Sequence, residues 1–135
     1  MIFVDTGAWY ALEVEDDANH GRASKFLNEL RGRRYGSLLT TDYVLDETAT
    51  LLWLRKGSVA ALAFLDKVNR SDSIHIVWID APIFWKTVGL MKERKDKRWS
   101  FTDFTSFLVM NQMNTTNAFG FDQNFEQAGF MLLPE

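Results

Sequence analysis

Met1–Trp9, MIFVDTGAW, decides the fold, because its apolar and β-branched run Ile2, Phe3, Val4 stops abruptly at an acid, Asp5. A run without polar alternation suits a strand covered on both faces, as in parallel sheets flanked by helices. In such sheets ligands gather outside the carboxyl ends of the strands. Asp5 then points into that crevice, and each later acid is judged by whether it arrives at the same edge.

Outward from this strand, Thr6 and Gly7 are expected to make a turn into a short helical segment, AWYAL. Asp16 or Asp17 is placed to cap a helix running to about Leu30, with Ala23, Phe26, Leu27 and Leu30 on one apolar face. Arg31, Gly32, Arg33 and Arg34 end it as a cationic C-terminus. Ser37–Thr41 reads as a strand, Asp42 as the N-cap of a helix over Tyr43–Lys56, and Gly57 as its stop. Ser58 opens another helix whose small and apolar residues imply burial on most sides.

Ile74–Ile79 is the third predicted strand, and Pro82 fits the first turn of a helix carrying Ile83, Phe84, Val88, Leu90 and Met91. The run Lys92–Arg98 holds five basic and two acidic residues, +3 locally. Thr102 or Ser100 can cap a helix over Asp103–Met113. Asn117–Phe121 forms a fourth strand with Asp122 at its exit, and Phe130–Leu133 a short last one. Strands alternating with helices, without Asn-Gly or Asp-Gly hairpin signals, predict an α/β fold with a mainly parallel central sheet flanked by helices.

The chain has 135 residues, 47% of them hydrophobic and 14% aromatic, enough to bury one core and consistent with one domain over residues 1–135. Eleven Phe and five Trp leave aromatic surface for a partner helix or subunit. No run approaches the ~18 apolar residues of a membrane span, and no basic segment precedes an apolar stretch at the start, so neither a membrane nor secretion is expected. Cysteine is absent, which excludes disulfides and thiolate metal sites and suits the cytoplasm. A net charge of -3 leaves any nucleic-acid contact to local basic patches.

Asp5 and Asp122 both follow apolar strands, so a parallel sheet brings them to one edge. Asp103 opens a helix beginning at that edge, and Glu47 stands about one turn into the helix after the second strand. Four carboxylates without matching cations repel one another, and such a cluster persists where it holds hard divalent ions. Ligation by oxygen alone favours Mg²⁺ or Mn²⁺ over zinc. Each acid also has a plainer reading: Asp103 as a helix cap, Asp122 as a turn residue, Asp46 as a solvated residue or an outer helper. The two histidines point away from acid–base catalysis, since His20 lies on a charged helix and His75 inside a strand. With acids plentiful and histidines few, metal-activated water is the favoured chemistry.

Asp5 after IFV, Glu47 inside TDYVLDETATLL, Asp103 inside SFTDFTSF and Asp122 inside GFDQNF together resemble the four-acid signature of PIN-domain nucleases. In length and order of motifs the whole chain resembles the VapC-like toxins of type II toxin–antitoxin pairs. The resemblance implies a PIN fold, dependence on Mg²⁺ or Mn²⁺, cleavage of single-stranded RNA, a homodimer, and inhibition by a small antitoxin. It assigns catalytic and metal-binding roles to Asp5, Glu47, Asp103 and Asp122, with Asp5 as the central, bridging ligand.

Thr6, Thr102, Thr105 and Ser106 are candidates for polar support. Gly7 departs from the Asn or Ser frequent in the family, which removes one side-chain hydrogen bond. Lys95, Lys97 and Arg98 are candidate phosphate contacts, or else a solvated helix end. Trp99 either stacks a base or is buried. The alternative to a nuclease is a non-catalytic RNA-binding or scaffold module of the same fold. Haloacid-dehalogenase-like phosphatases want a second Asp where Gly7 stands, and receiver domains want paired acids near the first strand's exit; neither pattern is met.

Overall fold

Strand β1 (Ile2–Val4) is fully buried and sits at the centre of a five-stranded parallel sheet of order β3-β2-β1-β4-β5. The other strands are β2 (Leu38–Thr41), β3 (Ile74–Val77), β4 (Asn117–Phe119) and β5 (Met131–Leu133). In this computed structural model the described residues are 1–31 and 36–135; the predicted Gly32, Arg33 and Arg34 lie outside them. The register pairs Phe3 with Leu39 and Ala118, and Val4 with Phe119. Because side chains alternate along a strand, Val4 and Phe119 share one face and Phe3 the other.

Seven helices among the described residues cover that sheet: α1 (Thr6–Glu13), α2 (His20–Leu30), α3 (Asp42–Lys56), α4 (Ser58–Arg70), α5 (Ala81–Glu93), α6 (Phe101–Gln112) and α7 (Asn124–Gln127). Phe26 of α2 closes on Phe119 at 4.9 Å between ring centroids, edge to face. On the opposite face Phe3 meets Phe125 of α7 at 6.1 Å, and Phe107 of α6 meets Phe125 at 5.0 Å. Trp9 of α1 packs against Phe64 of α4 and donates its indole N–H to Thr40 Oγ1, whose hydroxyl donates to the Val4 carbonyl. That buried chain of hydrogen bonds ties the end of β1 to β2 and α1.

Several expected boundaries move. Thr6 and Gly7 make no turn: the Asp5 carbonyl accepts from the Ala8 and Trp9 amides, and α1 starts at Thr6 itself. Asn19, not Asp16 or Asp17, occupies the N-cap position of α2; Asp16 pairs with Lys56 at 2.9 Å, and Asp17 accepts from the Asn19 amide. Thr41 caps α3 by accepting from Val44, which leaves Asp42 inside the helix to receive the Ile79 amide from beyond β3.

Gly57 ends α3 as expected, at φ +93, where a Cβ is strained. Helix α4 is not buried on most sides, for it turns only Ala61, Phe64 and Val68 inward and leaves Val59 and Leu62 exposed. Strand β3 stops at Val77, and β4 stops at Phe119, two residues short of expectation. No helix among the described residues is long and apolar enough to cross a membrane.

Candidate active site at the carboxyl edge of the sheet

With β1 between β2 and β4, chain connections leave in opposite directions on either side of it, and the crevice opens at that switch. Asp5 stands there as the residue directly after β1. It has extended backbone and occupies the N-cap position of α1, yet its side chain makes no capping bond. Its carboxyl group is thus not engaged in capping α1. Gly120 makes room for it: a Cβ at that position would lie 3.2 Å from the Asp5 Cβ.

Asp5 is only 6% exposed. Burial pushes its carboxyl up to about 7; the Thr6 amide opposes this, and the charges of Asp103, Glu47 and Asp122 add to it. The charges of all three other predicted acids are thus felt at Asp5, as minor contributions beside its burial. Asp103 is also raised, first by burial and further by Asp122, against hydrogen bonds from Asn124 and Ser100 that favour its ionised form.

Asp103 does cap its helix. Ser100 Oγ accepts from the Asp103 amide at 3.0 Å, and Asp103 Oδ2 accepts from the Ser100 amide at 3.2 Å, a reciprocal capping box. Ser100 rather than Thr102 is thus the N-cap. The box aims the carboxylate: Asp103 Oδ2 also accepts from Asn124 Nδ2 at 3.1 Å, and the same amide lies 3.4 Å from Asp122 Oδ2.

Asn124 is the residue missed in the sequence. It links two acids from different elements, and its own amide is held by Asp122 Oδ1 at 2.9 Å. The signal was the Asp-x-Asn spacing of Asp122–Asn124, an Asx-type turn opening α7. Asp122 itself is exposed and stands three residues beyond the end of β4.

Glu47 is exposed on α3 and, with Thr102, lines a cavity of about 440 Å³ beside the acids. Among the described residues no three His, Asp or Glu side chains are gathered closely enough to hold an ion as they stand. The donor set nevertheless fits a hard divalent cation: it is all carboxylate, no lysine or arginine among the described residues pairs with it, and the neighbouring buried Thr6 Oγ1 has no hydrogen-bond partner there.

The remaining candidates divide. Thr105 and Ser106 are fully buried and donate their hydroxyls to the Thr102 carbonyl, so they stiffen the first turns of α6. Trp99 is buried, donates to Gln127 and lies under Arg94 and Lys97, so it offers no free face to a base. Lys97 is thereby partly occupied, while Lys95 and Arg98 are exposed. His20 donates from Nδ1 to the Ala11 carbonyl at 2.7 Å, a structural bond, and His75 is exposed on β3.

The fold has counterparts. The sequence profile described as PIN domain matches residues 2–131, and the chain belongs to the PIN-domain family. It is VapC-like: over 131 residues it is 35% identical to the 23S rRNA-specific endonuclease VapC20 of Mycobacterium tuberculosis, covering 97% of this chain and 96% of that one. The crystal structure of VapC20, described as a sarcin-ricin loop cleaving toxin, superposes with a TM-score of 0.88 at 33% identity over 97% of both chains. A VapC ribonuclease of Archaeoglobus fulgidus is 28% identical over 111 residues, 82% of this chain and 70% of that one. VapBC2 from Rickettsia felis, solved bound to a promoter DNA fragment, shares the fold with a TM-score of 0.69 at 14% identity, over 98% of this chain and 97% of that one.

Proposed function

We propose that this chain is a metal-dependent endoribonuclease of one domain over residues 1–135, the toxin of a toxin–antitoxin pair. It cleaves RNA in the cytoplasm as a homodimer and is restrained by a small antitoxin. The observation that carries the reading is Asp5, a buried carboxyl at the central strand's exit that feels three further acids. Burial first and the neighbouring acids second raise its pKa, and perturbed carboxyl groups of this kind cluster at functional sites. Kinship with a 23S rRNA-specific endonuclease supports ribosomal RNA as the first substrate class to try.

Asp5, Glu47, Asp103 and Asp122 are the residues that would hold Mg²⁺ or Mn²⁺. When bound there, either ion supplies a water acidic enough to attack phosphorus and stabilises charge on the leaving oxygen. Asp5 serves both sides of the crevice from its central position. The Ser100 capping box and Asn124 fix the direction of Asp103, and Gly120 leaves space for Asp5. Thr6 and Thr102 supply polar support next to the acids, and Lys95, Lys97 and Arg98 approach the phosphate backbone.

The test is cleavage of single-stranded and ribosomal RNA fragments in Mn²⁺, Mg²⁺ or excess EDTA. Cleavage in metal and none in EDTA is expected, leaving 5'-phosphate and 3'-hydroxyl ends. Activity undiminished by EDTA overturns the metal reading. Calorimetric binding of Mn²⁺ without cleavage of any RNA would instead assign the chain to the non-catalytic modules.

A further inference from the structure

Beside the acids lies the cavity lined by Glu47 and Thr102, and its other walls are chemically distinctive. Tyr43 and Phe101 line it with rings 6.2 Å apart and tilted by 40°. Behind Phe101 the aromatic series continues through Phe84 at 4.9 Å to Trp85 at 5.1 Å, which is 67% exposed. Asp46, one residue before Glu47, lines the same cavity, is exposed, and makes no ion pair among the described residues.

We propose that this cavity is a nucleobase subsite, in which the base next to the cleaved phosphate stacks on Tyr43 and Phe101 while Asp46 reads its edge and favours guanine. The inference rests on the nuclease reading for where the phosphate lies. A volume of about 440 Å³ admits one nucleotide. Unpaired RNA bases are held by aromatic faces and by hydrogen bonds on their Watson–Crick edges.

An ionised carboxylate only accepts hydrogen bonds. Guanine offers it two adjacent donors, N1–H and the N2 amine, which match its two oxygens. Uracil offers one N–H between two carbonyls that repel it. Glu47 belongs to the acid cluster and also walls the cavity, so a base seated there places its phosphate at the acids. Asp46, with the plain readings of solvated residue or outer helper in the sequence, thereby becomes a specificity residue.

The experiment compares short oligouridines carrying one central guanosine, one inosine or none. Binding is read by fluorescence anisotropy in Ca²⁺ and cleavage in Mn²⁺, on wild type, Tyr43→Leu, Phe101→Leu and Asp46→Asn. Wild type should prefer the guanosine oligomer by about tenfold, the worth of one stacked and read base. Both Leu variants should lose that preference. Asp46→Asn should keep affinity for inosine and lose the advantage of guanosine over it, since inosine lacks the N2 amine.

Cleavage with no base preference, unchanged in all variants, overturns the subsite and leaves the nuclease reading standing. A preference in binding that the variants abolish, without cleavage in any metal, keeps the subsite and removes the nuclease reading. Should Tyr43→Leu alter the sedimenting mass but not RNA binding, the aromatic face belongs to a contact between two copies, and the subsite is overturned.

Discussion

Asp5 and Asp122 look alike in sequence, each an acid after an apolar strand, and the structure makes them opposites. Asp5 follows β1 directly, is buried, and has its carboxyl pushed up to about 7. Asp122 trails β4 by three residues, is exposed, and spends Oδ1 on the Asn124 amide. Both strands are flanked on either side, so the difference lies in distance from the strand end: Asp5 is the next residue after β1, whereas Asp122 sits out in the loop after β4. A carboxylate's worth to a cation therefore depends on how far the protein has already stripped its water, more than on the acid being present.

The largest effect that can break this contrast is on activity. Asp5→Asn should reduce RNA cleavage to background, while Asp122→Asn, at an exposed and partly engaged position, should cost of order tenfold, comparable with losing an outer-shell partner. Asp103→Asn should resemble Asp5→Asn, because the capping box and Asn124 aim its carboxylate inward. Single-turnover cleavage assays in Mn²⁺ measure all three. Equal losses at Asp5 and Asp122 would show that burial does not rank the acids.

A second effect is on stability. The folded-state pKa of Asp5 lies above its unfolded value, so the folded protein holds a proton that the unfolded chain has released. The resulting stability is fully present below the unfolded pKa of about 4 and is lost as pH climbs through about 7, by at most roughly 4 kcal/mol. Urea unfolding of the metal-free protein from pH 5 to 8 should show this decline, and Asp5→Asn should remove most of it. Adding Mn²⁺ at pH 8 should restore wild-type stability in proportion to the logarithm of its concentration. A flat pH profile in wild type would deny that Asp5 is desolvated.

The smallest effects come from two glycines near Asp5. Gly120→Ala brings a methyl to 3.2 Å from the Asp5 Cβ, which is anchored at a strand end and has little freedom to retreat, so a loss of about 1–2 kcal/mol is expected. At Gly7 a new Cβ meets Phe121 only at 3.8 Å, an ordinary contact. Gly7→Ser inside the first turn of α1 should therefore be neutral or stabilising by about 0.5 kcal/mol in thermal unfolding. Reversal of these two outcomes would mean the crevice is looser at Gly120 than its geometry shows.

The sequence alone determined the parallel sheet and the order of its elements apart from the short α7, because these rest on local signals: unbroken apolar runs, helical periodicity, Gly57 at a helix end. It also left the plainer reading of Asp103 in view, and the capping box with Ser100 shows that the residue does serve its helix start. Boundaries that depended on competition among neighbouring polar residues went elsewhere, as when Thr41 took the cap from Asp42 once the Ile79 amide claimed it.

Only the tertiary structure decided the rest. Burial of α4 followed from which neighbours it found, not from its composition, and Trp99 became core because Phe104, Phe107 and Gln127 enclose it. The bridging role of Asn124 and the aromatic cavity beside Glu47 join residues far apart in the chain. Periodicity reports which face of an element is apolar. What that face meets, and how dry an acid becomes there, are properties of the packed whole.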